Sequence, residues 1–177
     1  MKENTTPWII DRFDDTKILR YKVPAFENLS LEEKKMIYYL SQAAKWGRDI
    51  LFDQNFKFNI IIRRTLEALY RNYSGERNCE MWCGVVKYLK HVWFANGIHH
   101  HYSNDKFTPE FSQDFFEQAI HSLPAELLPA DFGGVDKLLE VISPVIFDSE
   151  LYSSKINRAD GADVVQDSAT NFYSNLS

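Results

Sequence analysis

Apolar residues recur at helical spacing along most of this 177-residue chain, and this pattern restricts the possible folds more than any other feature. Residues 58–70 and residues 78–95 carry the clearest stripes, because their apolar side chains fall three or four positions apart. The two stripes consist of Ile61, Ile62, Thr65, Leu66 and Leu69, and of Met81, Val85, Tyr88, Leu89, Val92 and Trp93. With three further helical segments, the pattern predicts a mainly α fold, a multi-helix bundle or lobe with at most minor β structure.

Local signals mark where these helices begin and end. Ser30 and Glu33 form a capping box that starts the first helix, and Gly47 is expected to weaken or bend it before it stops near residues 53–55. Asn96-Gly97 ends the third helix, and Ser112 is a plausible N-cap for the fourth. A fifth helix is expected over residues 135–142 and should stop at Ser143-Pro144.

The helical stripes divide the chain into three parts. Residues 1–29 are expected to form an extended N-terminal arm, in which residues 18–23 are either a short strand ended by Pro24 or a segment packed on the helices. Residues 30–152 form the helical domain. Residues 153–177 are a polar C-terminal tail with little to bury, and we expect this tail to be truncated.

Composition limits the classes of partner. A net charge of −5 and a pI near 5.5 argue against nucleic acid, which usually requires a basic surface. The chain has no run of 18 apolar residues, so no membrane partner is expected. The N-terminus has no apolar signal-peptide core, which indicates a cytoplasmic protein unless an export signal has been lost.

The sequence contains no self-sufficient catalytic motif. It has no nucleophile elbow, no phosphate-binding loop and no histidine followed by glutamate. Asp49 and Asp53 stand one turn apart and could bind a metal or share a proton, although acids at a helix end more often cap it or face water. No catalytic residue and no metal ligand is therefore predicted.

The run His99-His100-His101 is the most conspicuous polar feature. Adjacent side chains point in different directions, so three consecutive histidines rarely bind one ion. One of them could be a ligand or a hydrogen-bond donor, or the run could line a polar cleft with Asn96, Gly97 and Tyr102. The remaining alternative is a solvated loop.

At this loop the chain resembles the dipeptidyl peptidase III family of zinc metallopeptidases, especially its bacterial branch. The likeness is carried by residues 18–30, 47–55, 62–70 and 92–102, the last reading Val-Trp-Phe-Ala-Asn-Gly-Ile-His-His-His-Tyr. Lys106-Phe107-Thr108-Pro109 is similar to the family's Lys-Phe-Val-Pro. The likeness extends from about residue 14 to 122, and more loosely to the end.

The resemblance implies a two-lobed aminopeptidase that removes dipeptides from the N-termini of short peptides, with this chain in its first part. The family's peptide-binding Gly-x-x-x-Ser-Phe-Gly stretch would fall on residues 97–103, with His101 in place of serine and Tyr102 in place of phenylalanine. The implied substrate-binding residues are Asn96, Gly97, His101, Tyr102 and Ser103.

The family's zinc motif, His-Glu-x-x-x-His, is missing, so the chain is expected to hold no cofactor, although zinc serves the full-length family. The sequence therefore predicts a substrate-cleft part of a hydrolase that is inactive alone. Its partners would be short peptides and the missing C-terminal part of the enzyme. Two alternatives stay open, a non-catalytic helical module that binds a peptide or protein, and a structural remnant without a ligand.

Overall fold

A computed structural model describes residues 8–171, and the chain divides into two compact units, one ending at Arg48 and the other beginning at Asp49. Helices dominate, and the described residues contain one sheet of two strands, which confirms the predicted mainly α class with minor β structure. Residues 1–7 of the predicted arm and residues 172–177 of the predicted tail lie outside the described residues. No helix among the described residues is long and apolar enough to cross a bilayer.

The first unit opens with a β-hairpin. Strand β1, Ile9–Phe13, pairs in antiparallel register with β2, Thr16–Leu19, and the closing pair is Phe13 with Thr16. The sequence placed the possible strand at residues 18–23, so it found the segment but set the strand too late. The position of β2 depends on its partner strand, β1. Because β1 ends at the Asp14-Asp15 turn, that turn fixes which residues of the next segment can pair with it.

Helix α1, Leu31–Trp46, begins at the predicted capping box. The Glu33 N–H donates to Ser30 Oγ at 3.3 Å, and the Ser30 N–H donates to Glu33 Oε2 at 2.8 Å. The hydroxyl and the N–H of Ser30 together lower the pKa of Glu33. Helix α1 stops at Trp46 and α2, Arg48–Asn55, follows, which confirms the predicted weak point at Gly47. No described residue before Asp49 is buried, so the first unit has no core of its own.

The second unit contains the core. It is built by α3, Asn59–Asn72, α4, Glu80–Ala95, α5, Gln113–His121, and α6, Val135–Phe147. The predicted cap on α5 is confirmed, because the Phe115 N–H donates to Ser112 Oγ at 3.2 Å. Side chains with almost no exposed surface come from all four helices, from α2 and from two connecting segments: Phe52, Phe56, Ile62, Leu66, Leu69, Leu89, Ile98, Phe116, Ile120, Leu138, Ile142 and Ile146.

The predicted end of the fifth helix at Ser143-Pro144 is wrong, because α6 runs through Pro144 to Phe147. Proline removes one backbone hydrogen bond and strains the preceding turn. Val145 and Ile146 follow it, and both are buried, so continuing the helix places two apolar side chains in the core. Burial of this size, about 1.5–3 kcal/mol for each side chain, offsets the proline penalty of about 3 kcal/mol.

The polar segment after residue 152 is held against the second unit by backbone hydrogen bonds. The Lys106 N–H donates to the Ser153 carbonyl at 2.9 Å, and the Lys155 N–H donates to the Asn104 carbonyl at 2.8 Å. Further along, the Asn171 N–H donates to the Gln54 carbonyl at 3.1 Å. Ala169 is buried, so this segment contributes to the core although its composition is mostly polar.

Candidate functional site

The candidate site begins where α4 ends. Asn96 takes the left-handed conformation, with φ 55° and ψ 43°, and its carbonyl accepts a hydrogen bond from Asn55 Nδ2 at 3.0 Å. The Gly97 N–H donates to the Val92 carbonyl at 3.0 Å. This is the helix ending that the Asn-Gly pair predicts, since both residue types tolerate positive φ.

Asn59 of α3 fixes the chain as it leaves α4. Its fully buried side chain donates from Nδ2 to the Phe52 carbonyl at 3.1 Å and accepts the Ile98 N–H on Oδ1 at 3.1 Å. Gly97 has φ +149°, and a Cβ at this position would lie 2.1 Å from Asn59 Nδ2. Glycine is therefore required here both by the backbone conformation and by the close approach of a buried amide.

Residues 98–107 form a tight turn. His99 and Lys106 pair as an antiparallel bridge, and the His100 N–H donates to the Asp105 carbonyl at 2.8 Å. The Phe107 N–H closes the turn by donating to the Ile98 carbonyl at 2.8 Å. The tip of the turn, residues 101–103, is thus carried on a hydrogen-bonded base.

His99 points into the protein. Its ring is 2% exposed, lies 5.5 Å from the Phe56 ring, and places Nε2 2.8 Å from the Tyr152 carbonyl. Since a carbonyl only accepts, Nε2 carries the proton and donates it, and the buried Nδ1 has no hydrogen-bond partner among the described residues. Burial lowers the pKa of His99 to about 4, because the charged ring would lose its hydration.

His100 holds the tip of the turn. Its Nδ1 accepts the N–H of Tyr102 at 3.2 Å and the N–H of Ser103 at 3.1 Å, so this nitrogen is the unprotonated one. The three histidines therefore have three different environments, as expected from their adjacent positions.

The rings of His101 and Tyr102 form an exposed surface at the tip. Their centroids lie 4.2 Å apart, and the His101 ring is 5.1 Å from the Phe94 ring and 4.6 Å from the His100 ring. Tyr102 is 83% exposed. Ser103 Oγ accepts the Asp105 N–H at 3.3 Å, which orients its hydroxyl next to these rings. We call the rings of Phe94, His100, His101 and Tyr102 the tip cluster.

The five predicted substrate-binding residues thus lie in two places, the end of α4 and the exposed tip of the turn. Gly97 is buried, and both it and the carbonyl of Asn96 serve the packing at the end of α4. His101, Tyr102 and Ser103 lie at the exposed tip. Asn96 is half-buried, and the second group is the one whose side chains are exposed.

Lys106 has a role that the sequence pattern did not indicate. Its Nζ donates to the carbonyls of Val145, at 3.1 Å, of Leu151, at 2.5 Å, and of Asp148. A cation is favoured at this end of α6 because helix carbonyls there lack intrahelical partners. Partial burial is the main reason that the pKa of Lys106 is lowered. In the sequence, only its place in the Lys-Phe-Thr-Pro motif distinguished Lys106 from other lysines.

Asp49 belongs to a network that includes a buried arginine. Asp49 Oδ1 lies 2.8 Å from Arg63 Nη1, and Arg63 Nε lies 3.6 Å from Glu67 Oε1. Glu67 also accepts the Trp93 indole N–H at 2.9 Å. Arg63 does not belong to the predicted apolar stripe of this helix, but it is 3% exposed and lies over the Phe52 ring. The ion pair with Asp49 makes that burial tolerable.

The described residues do not fit a zinc ion. Within residues 8–171, no three His, Cys, Asp or Glu side chains are placed to hold a metal. At the histidine run, the Nε2 of His99 is used by Tyr152 and the Nδ1 of His100 by two backbone amides. Two ring nitrogens of the run are therefore engaged in holding the turn.

The sequence matches no protein-family profile, and no curated protein sequence matches it at a significant level.

Proposed function

We propose that this chain is the substrate-cleft part of a dipeptidyl peptidase of the dipeptidyl peptidase III type, contributing one wall of a peptide cleft and no catalytic group. The observation that carries the proposal is the tip cluster, in which exposed rings stand on a turn fixed by hydrogen bonds to the His100 ring. The proposed compartment is the cytoplasm.

Rigid exposed rings suit a peptide ligand. An aromatic side chain with few rotatable bonds offers a large contact area at low cost in conformational entropy. Two hydrogen bonds from the backbone N–H groups of Tyr102 and Ser103 to His100 hold the tip in place before any ligand arrives. In this proposal Tyr102 packs on the peptide, and His101 and Ser103 hydrogen-bond to it.

Peptide titration of the isolated chain tests the proposal. The amide cross-peaks of residues 101–103 are followed by NMR while tetra-alanine and Tyr-Ala-Phe-Ala are added to millimolar concentration. We expect saturable shifts, and we expect Tyr102→Ala to weaken binding at least fivefold, because the exposed ring supplies much of the contact. Tyr21→Ala, which truncates another highly exposed tyrosine, is the matched control and should leave the affinity unchanged.

Two results would contradict the proposal. One is the absence of any saturable shift at residues 101–103. The other is release of dipeptides from these peptides by the chain with added zinc, because the chain would then supply a catalytic group. The reading frame downstream of Ser177 separates the proposal from the alternative, a non-catalytic peptide- or protein-binding module. A continuing frame that encodes His-Glu-x-x-x-His supports the peptidase, and a stop codon favours the module.

A further inference from the structure

His100 holds the exposed tip of the turn through one atom of its ring. Nδ1 accepts the N–H of Tyr102 at 3.2 Å and the N–H of Ser103 at 3.1 Å. Among residues 8–171, this nitrogen is the only hydrogen-bond partner of these two N–H groups. The ring thus acts in the turn as an asparagine or aspartate oxygen acts in an Asx turn, where it accepts backbone N–H groups that follow it in the chain.

The base of the turn does not depend on this ring. It is closed by main-chain hydrogen bonds, from the His100 N–H to the Asp105 carbonyl and from the Phe107 N–H to the Ile98 carbonyl, both at 2.8 Å. Loss of the two bonds to Nδ1 would therefore release residues 101–103 and leave the base in place.

The acceptor atom of this ring is also its basic atom. In a neutral imidazole one nitrogen carries hydrogen and the other carries a lone pair. Because Nδ1 of His100 accepts hydrogen bonds, an added proton must bind there, and the proton and the two N–H groups exclude each other. The cationic ring has only donors, so it would leave the N–H groups of Tyr102 and Ser103 without their acceptor.

The position of His100 lets protons reach it from solvent. The residue is half-buried, and residues 101–103 beside it are exposed. Imidazole is the side chain that ordinarily changes charge between about pH 5 and 8. The adjacent His99 stays neutral in this range, because burial lowers the pKa of His99 to about 4. Its bond to the Tyr152 carbonyl therefore keeps the base of the turn intact while the tip responds.

Other titratable or charged side chains lie around the His100 ring. The nearest is the His101 ring, with 4.6 Å between the centroids. None of these side chains accepts the N–H groups of Tyr102 and Ser103 within the described part of the chain, so none replaces Nδ1. They are His91 on α4, His101, Asp105 and Lys106 on the turn, and Lys155 on the segment that follows α6.

We propose that His100 is a pH-sensitive switch of the tip, in which the neutral ring fixes residues 101–103 and the protonated ring releases them. The tip is ordered at the alkaline end of the range and released at the acidic end. The consequence for ligands rests on the proposed function. Because the released residues carry the Tyr102 ring, peptide affinity should fall as His100 gains its proton.

NMR of the whole ¹⁵N-labelled chain between pH 5 and pH 8, without ligand, tests the switch. The ring C–H resonances of His100 report its protonation. Solvent exchange of the Tyr102 and Ser103 amides, relative to the intrinsic rate at each pH, reports the two hydrogen bonds. We expect the protection of both amides to fall at least about fivefold as the pH is lowered, with the midpoint of the His100 ring. The Phe107 amide, at the base, should stay protected.

Three variants make the assignment specific. His100→Asn keeps a side-chain acceptor and removes the titration, so the tip should stay protected at every pH. His100→Ala removes the acceptor, so protection should be lost at every pH. His121→Asn, which removes an exposed histidine on α5, is the matched control and should keep the pH dependence of the wild type. Circular dichroism establishes that each variant keeps its helical content.

The switch is overturned by tip protection that does not change with pH, by a midpoint that differs from that of the His100 ring, or by a pH dependence that persists in His100→Asn. Retained protection in His100→Ala would overturn the assigned hydrogen bonds. Adding Tyr-Ala-Phe-Ala to the same samples separates the switch from the proposed function. A tip that switches without binding peptide at any pH contradicts the peptide site alone. Equal peptide affinity at pH 5 and pH 8, with a tip that switches, overturns the coupling between them.

Discussion

Replacing Gly97 with alanine should destabilise the second unit strongly, because two independent features of the structure require glycine there. The backbone has φ +149°, which residues with a Cβ rarely adopt. The added methyl group would lie 2.1 Å from Asn59 Nδ2, far inside van der Waals contact. Asn59 is fully buried and cannot move without losing bonds to Phe52, Asn96 or Ile98.

The expected cost is the sum of these two effects. Forcing a residue with a Cβ into a sparsely populated conformation costs about 1–3 kcal/mol. Displacing Asn59 leaves at least one buried polar group without a partner, at about 1–3 kcal/mol. We therefore expect Gly97→Ala to lower the free energy of unfolding by about 3 kcal/mol or more, a large part of the stability of a domain.

Urea denaturation followed by tryptophan fluorescence measures this loss, since Trp82 is buried in the same unit. Gly133→Ala is the matched control, because Gly133 has φ +77° and no atom within 4 Å of an added Cβ. It should cost only the backbone strain, about 1 kcal/mol. In an Asn59→Ala background, Gly97→Ala should lower the free energy of unfolding by a similarly small amount, because the Asn59 side chain with which the methyl group clashes is absent. Equal losses for Gly97→Ala and Gly133→Ala in the wild-type background would refute the proposed clash.

Two further predictions concern the base of the turn. Because the pKa of His99 is about 4 when folded and near 6.5 when unfolded, the unfolded chain binds more protons between these values, and stability is lost as the pH falls. Urea denaturation at pH 7 and pH 5 should show a loss of about 2 kcal/mol from this residue, and His99→Gln should remove that part of the pH dependence. Lys106→Met should lower the stability by about 2 kcal/mol, measured in the same way at pH 7, because it leaves the carbonyls of Val145, Asp148 and Leu151 without their charged donor. Lys137→Met, at an exposed position on α6, is its control and should change the stability by less than about 0.5 kcal/mol.

The sequence predicted the features that depend on local interactions. The capping box at Ser30, the break at Gly47 and the cap at Ser112 each involve residues within one turn of each other, and the structure confirms all three. The end of α6 could not be predicted from the proline alone. It depends on the burial of Val145 and Ile146 in the core, which is a tertiary effect that overrides the local preference of Pro144.

The environment of charged residues was harder to predict. Arg63 has an exposed neighbour, Arg64, and the two look alike in sequence. Both pair with Asp49, but only Arg63 is buried and lies over the Phe52 ring. Its partner lies fourteen positions earlier, on another helix, so no helical spacing rule reveals the pair. Lys106 is similar, since its carbonyl partners lie about forty residues further along the chain.

The same argument explains why the histidine run was ambiguous. Its three rings have one type of side chain but three environments, set by Tyr152 for His99, by the turn amides for His100 and by Phe94 for His101. Within this short segment, the buried residues stabilise the fold, and the exposed residues are the ones that a ligand would contact. Substitutions at Gly97 or His99 change buried contacts and should act on folding, whereas substitutions at Tyr102 change only an exposed ring and should act on ligands. A variant of Tyr102 that lowered stability as much as one of Gly97 would mean that the tip is part of the fold, and the proposed peptide contact would lose its support.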